Sequence, residues 1–178
     1  MEHNEAKQLC WTKLNEGNNN SNVNKCRNCS QANKNSMYES YNYNNVLVAL
    51  TLKEQGWKLK RNEDIYAVDL IGTDPDGNEV QVECKIEWFP SNNFFFEVVG
   101  DNKKQKDYWE NSKTKQVYFA GVCPKTKTLN LYDITEFRKL NNQTQRFGLV
   151  DSHYGTSGFL FGRNEPYLFK KARYDLNV

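Results

Sequence analysis

Apolar and polar positions alternate over residues 79–87, EVQVECKIE, with Val80, Val82, Cys84 and Ile86 on one side and Gln81, Glu83, Lys85 and Glu87 on the other. Period two with one apolar side is the signature of a strand buried on one face. The preceding DIYAVDLIG alternates as well and places Ile65, Ala67, Asp69 and Ile71 together. Between the two runs, Thr73-Asp74-Pro75-Asp76-Gly77-Asn78 is dense in residues that bend a chain for local reasons. A hairpin over residues 64–88 follows. Upstream, Tyr43, Val46 and Leu50 recur at helical spacing with Leu47 beside them, so residues 36–56 form a helix. Ser36 and Glu39 have the spacing of a capping box, and Gly56 supplies the stop. A shorter helix is expected over Glu5–Leu14 and a short strand over Trp57–Arg61. Further on, Phe94–Val99, Gln116–Val122 and Thr128–Asp133 read as strands. Residues 101–115 suit a charged helix or loop, and Asp133 with Glu136 caps a helix running to Leu140.

Composition narrows the class. A chain of 178 residues supports one domain with a real core. Its 38% hydrophobic content is a little low, so part of the chain is expected to pack poorly, although 13% aromatics help to supply the core. A net charge of +2 excludes a global polycation, so any contact with nucleic acid must come from local patches. No apolar run approaches a membrane span, and MEHNEAKQLC lacks the apolar core of a signal peptide; no membrane partner and an intracellular location are expected. Five cysteines, an odd number, point to a reducing compartment, and two histidines exclude a three-histidine zinc centre. Repeats, a Walker loop, GxGxxG, GxSxG and HExxH are all absent.

The candidate chemistry gathers on the hairpin. Asp69, Glu83 and Lys85 can meet at its middle, as two carboxylates for a divalent cation with an ammonium beside them. The competing reading is a solvated cross-strand ion-pair cluster. Against it, Asp69 shares its face with apolar Ile65, Ala67 and Ile71, where a carboxylate is costly without a cation or donor. Cys26-Arg27-Asn28-Cys29 has the spacing that lets one turn offer two thiolates to a metal, and Cys10 and His3 would complete a tetrahedral structural Zn²⁺ site. The alternative is a flexible arm with ordinary reduced thiols. Lys103, Lys104, Lys106 and Lys113 lie among Tyr108 and Trp109, and Lys170, Lys171 and Arg173 among aromatics of the C-terminal segment. The first stretch suits either a solvated face or contact with phosphate, and the second either packing or contact with a nucleic-acid backbone. Three segments are expected: an N-terminal arm over 1–35, a core over 36–140 and a basic aromatic extension over 141–178.

Over residues 36–140 the chain resembles the PD-(D/E)xK nuclease superfamily, with Asp69 as the first acid of the motif and Glu83-Cys84-Lys85 as its (D/E)xK. Val68 stands where the motif has proline. Glu39 matches an acid often found on the first helix, and a helix cap is its competing role. The resemblance implies a restriction-endonuclease-like α+β fold, a central mixed β-sheet flanked by helices. It also implies an endonuclease that hydrolyses DNA phosphodiester bonds with Mg²⁺ or Mn²⁺. Asp69, Glu83 and the main-chain carbonyl of Cys84 would hold the ion, and Glu39 a metal-bound water or a second ion. Double-stranded DNA is then the expected partner, a homodimer the expected form, and the cytoplasm of a bacterium or phage-infected cell the expected place. Site-specific cutting of restriction or homing type and structure-specific cutting of resolvase type both stay open. So does a non-catalytic nucleic-acid-binding module on the same fold.

Overall fold

A computed structural model describes residues 2–19, 31–64, 67–87, 93–100, 105–152, 155–162 and 170–176, with side chains for all of these except 17–19, 31–40, 93, 161–162 and 170–171. Two helices open the chain, α1 (His3–Asn19) and α2 (Gln31–Lys53). Six strands form the central sheet: β1 (Lys58–Arg61), β2 (Leu70–Thr73), β3 (Glu79–Ile86), β5 (Gln116–Cys123), β6 (Thr128–Asp133) and β9 (Lys170–Asp175), adjacent in that order. Only β3 and β5 run parallel; every other neighbouring pair is antiparallel. The other elements are β4 (Asn93–Val99), α3 (Asp107–Asn111), α4 (Ile134–Thr144), β7 (Leu149–Asp151) and β8 (Ser157–Gly162), and β4, β8 and β7 make a second, three-stranded sheet. The protein is thus α+β, a mixed sheet flanked by helices. Among the described residues no helix is long and apolar enough to cross a membrane.

The middle of the sheet, at β5, is buried on both faces, and period two decides what each face meets. In β3, Val80, Val82, Cys84 and Ile86 turn towards α1 and α2, where Leu14, Leu47, Val48 and Leu52 complete the core. In β5 the alternation carries apolar residues to both sides: Tyr118, Ala120 and Val122 pack with the helices, Val117 and Phe119 with the second sheet. A strand covered on both faces needs a continuous apolar run, which accounts for QVYFAGVC. Beneath the second sheet, Phe94, Phe96 and Phe159 join Tyr108, Trp109 and Phe137 in an aromatic core.

Local chemistry sets the turns. Asp74 accepts hydrogen bonds from the backbone N–H of Asp76 and Asn78, and Gly77 takes φ +86° to close the β2–β3 hairpin. Gly56, at φ +86°, lets the chain leave α2, and the Trp57 N–H then bonds the Leu52 carbonyl. Asp133 caps α4 by accepting from the Glu136 N–H at 2.9 Å, as the sequence predicts, and the helix runs on to Thr144.

Several expectations need correction. Residues 3–19 are no arm: Cys10, Trp11 and Leu14 place α1 in the core. Ser36 is not a helix cap, because α2 begins at Gln31; QANKN contains no glycine or proline to stop it. The first hairpin strand is shorter than its alternation suggests. An Ala67 N–H to Asp64 carbonyl turn precedes it, so Asp69 lies just ahead of β2. The Phe94–Val99 strand forms but joins the second sheet. For the C-terminal segment the packing reading holds: β9 is an edge of the central sheet and Leu176 lies in its core.

Candidate active site

The face of β3 that carries Gln81, Glu83 and Lys85 looks away from α1 and α2. The register pairs Leu70 with Val82, so Asp69 arrives opposite the middle of β3. Its carboxylate is anchored from two elements. Oδ2 accepts from the Cys84 main-chain N–H at 2.8 Å, and Oδ1 accepts from the Asn45 amide of α2 at 2.9 Å. Burial pushes the Asp69 carboxyl up, and the Cys84 N–H, the Asn45 amide, Arg61 and Lys85 pull it part of the way back. Glu83 makes no side-chain hydrogen bond or close ion pair among the described residues. Its carboxyl is held well above the ordinary range, first by burial, then by the Asp69 charge; Lys85 and Lys106 oppose these, and Glu97 adds to them.

Glu97 is a third acid, on β4, that the sequence reading did not single out. Its Oε1 lies 2.9 Å from Lys106 Nζ and its Oε2 3.9 Å from Lys85 Nζ. The Tyr108 hydroxyl donates to the Glu97 main-chain carbonyl, which fastens β4 to α3 at this point. Tyr41, one turn ahead of Asn45 on α2, feels the same charges: burial, then Glu97 and Asp69, raise its hydroxyl. Glu97 had one visible signal, as the single charge in the strand NFFFEVV. Asn45 had none, one asparagine among many.

The other predicted residues are dispersed. Glu39 belongs to α2, but its side chain lies outside the described residues, as do Cys26, Cys29, Lys103, Lys104 and the side chains of Lys170 and Lys171. Of the four residues expected to bind zinc, Cys26 and Cys29 lie outside the described residues. His3 and Cys10 share one continuous helix, seven residues or about 10 Å apart along its axis. Cys10 is buried in the core, with its thiol pushed up by burial. His3 Nε2 instead stands 3.0 Å from the Leu50 carbonyl and 3.4 Å from Glu54, whose other oxygen takes Lys7 at 2.8 Å. Among the basic residues, Lys113 pairs with Glu110 on the surface. Tyr108 and Trp109, which lie among these lysines in the sequence, are core. Arg173 is exposed on β9, in one cross-sheet row with Asn130, Gly121 and Lys85.

Two carboxyls lie partly uncompensated in a half-buried site. Among the described residues no three of His, Cys, Asp and Glu gather closely enough to hold a metal alone. The pair Asp69–Glu83 therefore suits a hard ion that draws its remaining ligands from main-chain oxygen and water, as Mg²⁺ does. Ionisation is unfavourable without that ion, and a test follows. A carboxyl raised in the native state binds its proton there at a pH where the unfolded chain has released it, so stability falls as pH rises. Glu83→Gln should raise the thermal midpoint of metal-free protein at pH 8, and the gain should vanish near about pH 4, where unfolded carboxyls are largely protonated. Melting curves in excess chelator check this. A lower midpoint for the variant at pH 8 would count against it.

Fold and site together define an α+β protein whose mixed sheet carries an acid pair and a lysine on one face, in front of a second, aromatic-backed sheet. No family model matches the chain, and no curated protein does. Among solved structures it is similar to Hjc, a Holliday junction resolvase from the archaeal hyperthermophile Archaeoglobus fulgidus, at 11% identity and a TM-score of 0.40. The alignment covers 66% of this chain and 79% of that one.

Proposed function

We propose that the protein is a divalent-metal-dependent endonuclease acting on DNA. The observation that carries the reading is the Asp69–Glu83 pair, both carboxyls pushed up by burial, with the Lys85 ammonium on the same face. Asp69, Glu83 and the Cys84 carbonyl would hold Mg²⁺ or Mn²⁺. The Cys84 N–H already turns to Asp69, and a strand residue presents its carbonyl to the same neighbour as its N–H. When bound, the ion supplies an acidified water and neutralises charge that develops on the phosphate. The chain does the rest. Asn45 and the Cys84 N–H fix the Asp69 carboxylate, which leaves it only small rotations. Lys85 points its ammonium at a phosphate oxygen or at the attacking water, held near Glu97 until substrate arrives. Glu39, on the helix that carries Asn45, is assigned an outer role towards a metal-bound water. Cutting both strands of a duplex takes two copies of the site, so a homodimer is part of the proposal.

The test is a cleavage assay on supercoiled plasmid, a four-way junction and single-stranded DNA, in Mg²⁺, Mn²⁺ or excess EDTA. Metal-dependent cleavage lost in Asp69→Asn supports the reading. Cleavage that persists in EDTA refutes it. Discrete plasmid fragments would assign sequence readout; cutting confined to the junction would assign structure readout. Binding without cleavage in every metal would leave a binding module.

A further inference from the structure

The face that carries Asp69 and Glu83 continues towards the β2–β3 turn, and there it opens into a groove of about 520 Å³. The register sets Lys60, Ile71 and Gln81 side by side across β1, β2 and β3. Two residues along a strand is about 7 Å, so this row lies one step from the carboxylates and on the same face. Lys115, at the start of β5, closes the opposite wall. β1 can press this close because residue 72 is glycine: a Cβ there would stand 1.9 Å from the Lys58 carbonyl oxygen.

The lining is rich in donors. Lys60 and Lys115 are both exposed, and neither makes an ion pair among the described residues. Gln81 Oε1 accepts from Asn111 Nδ2 at 2.8 Å, which commits the acceptor end of the amide and leaves its N–H groups for the groove. Thr73 and Thr114 add hydroxyls, and Glu79 at the rim is the opposing charge. Two cations with amide and hydroxyl donors, in a groove one step along the same sheet face from the carboxylates, match a ligand whose anionic charge repeats along a chain.

We propose that this groove is a separate binding site for the phosphodiester backbone of the substrate strand, with Lys60 and Lys115 each neutralising a phosphate next to the one at the carboxylates. The proposal rests on the nuclease reading for the identity of the strand, but its test does not need cleavage. Binding of a fluorescent duplex to the full chain is measured in EDTA across a salt series, for wild type, Lys60→Gln/Lys115→Gln and the control Lys125→Gln. Lys125 is exposed in the β5–β6 turn, at the opposite end of β5.

The double variant should bind about tenfold or more weakly, with the salt slope reduced by about 1.8, since each neutralised duplex phosphate contributes roughly 0.9. The control should match wild type, and all three should melt alike. Unchanged affinity and slope in the double variant overturn the groove, whether or not wild type cleaves. A groove-dependent slope in a protein that cleaves nothing in any divalent metal upholds the groove and overturns the nuclease reading. Wild type that binds neither duplex nor single strand overturns both.

Discussion

Lys85→Ala should fold and melt like wild type and lose cleavage by about a hundredfold to a thousandfold or more, the scale on which one aimed charge at a reacting centre acts. Folding should be spared because the Lys85 side chain is 41% exposed and its ion pair with Glu97 is long at 3.9 Å. A pair of that kind contributes little to stability. Catalysis should suffer because among the described residues no second ammonium is placed to replace it: Lys106 is tied to Glu97 at 2.9 Å and approaches from β4's side of the site. Lys85→Arg should not restore the rate, since a planar guanidinium cannot present a point charge where an ammonium stood. Single-turnover cleavage with saturating Mg²⁺, beside thermal melts, makes the comparison. Wild-type rates in Lys85→Ala would remove Lys85 from the chemistry. A matching fall in melting temperature would mean that the residue holds the sheet together and does no more.

What could be read from the chain was what adjacent residues decide between themselves. The β3 alternation, the Asp74–Gly77 turn and the Asp133 cap are local, and all three are found where the pattern puts them. What escaped is set by distant partners. FFFEVV says strand, but nothing in it says which sheet, and the apolar cover demanded by Phe119 and Phe137 draws β4 away from the central one. The same demand takes Tyr108, Trp109, Phe147 and Phe159 into the core; for Phe147 and Phe159 this is the packing alternative that the sequence left open beside contact with nucleic acid. At the site, the hairpin residues were legible because one strand carries two of them. Asn45 is an ordinary helix asparagine until Asp69 lies 2.9 Å from it, and Glu97 an ordinary strand polar residue until two lysines meet it.

Phe96→Ala should cost about 3–5 kcal/mol of folding free energy, the range for removing a large buried aromatic side chain. Phe96 is fully buried, and its ring lies 5.2 to 6.1 Å from those of Phe119, Tyr108, Trp109 and Phe137. These neighbours come from β5, α3 and α4, so no single side chain can swing in to refill the space, and the cavity term is paid in full. Against a typical domain stability of about 5–15 kcal/mol, the variant should unfold at a much lower urea concentration. The form of the transition carries a second result. Trp109 reports the aromatic core, while Trp11 and Trp57 report the helix-side core. Because β5 supplies Phe119 to one core and Tyr118 to the other, the two should melt together, with fluorescence and far-ultraviolet circular dichroism giving one midpoint. Separate midpoints would mean that the β4–β8–β7 layer folds as its own unit. Glu97, adjacent to Phe96 on β4, would then bring its contacts with Lys85 and Lys106 to the site only as that layer docks.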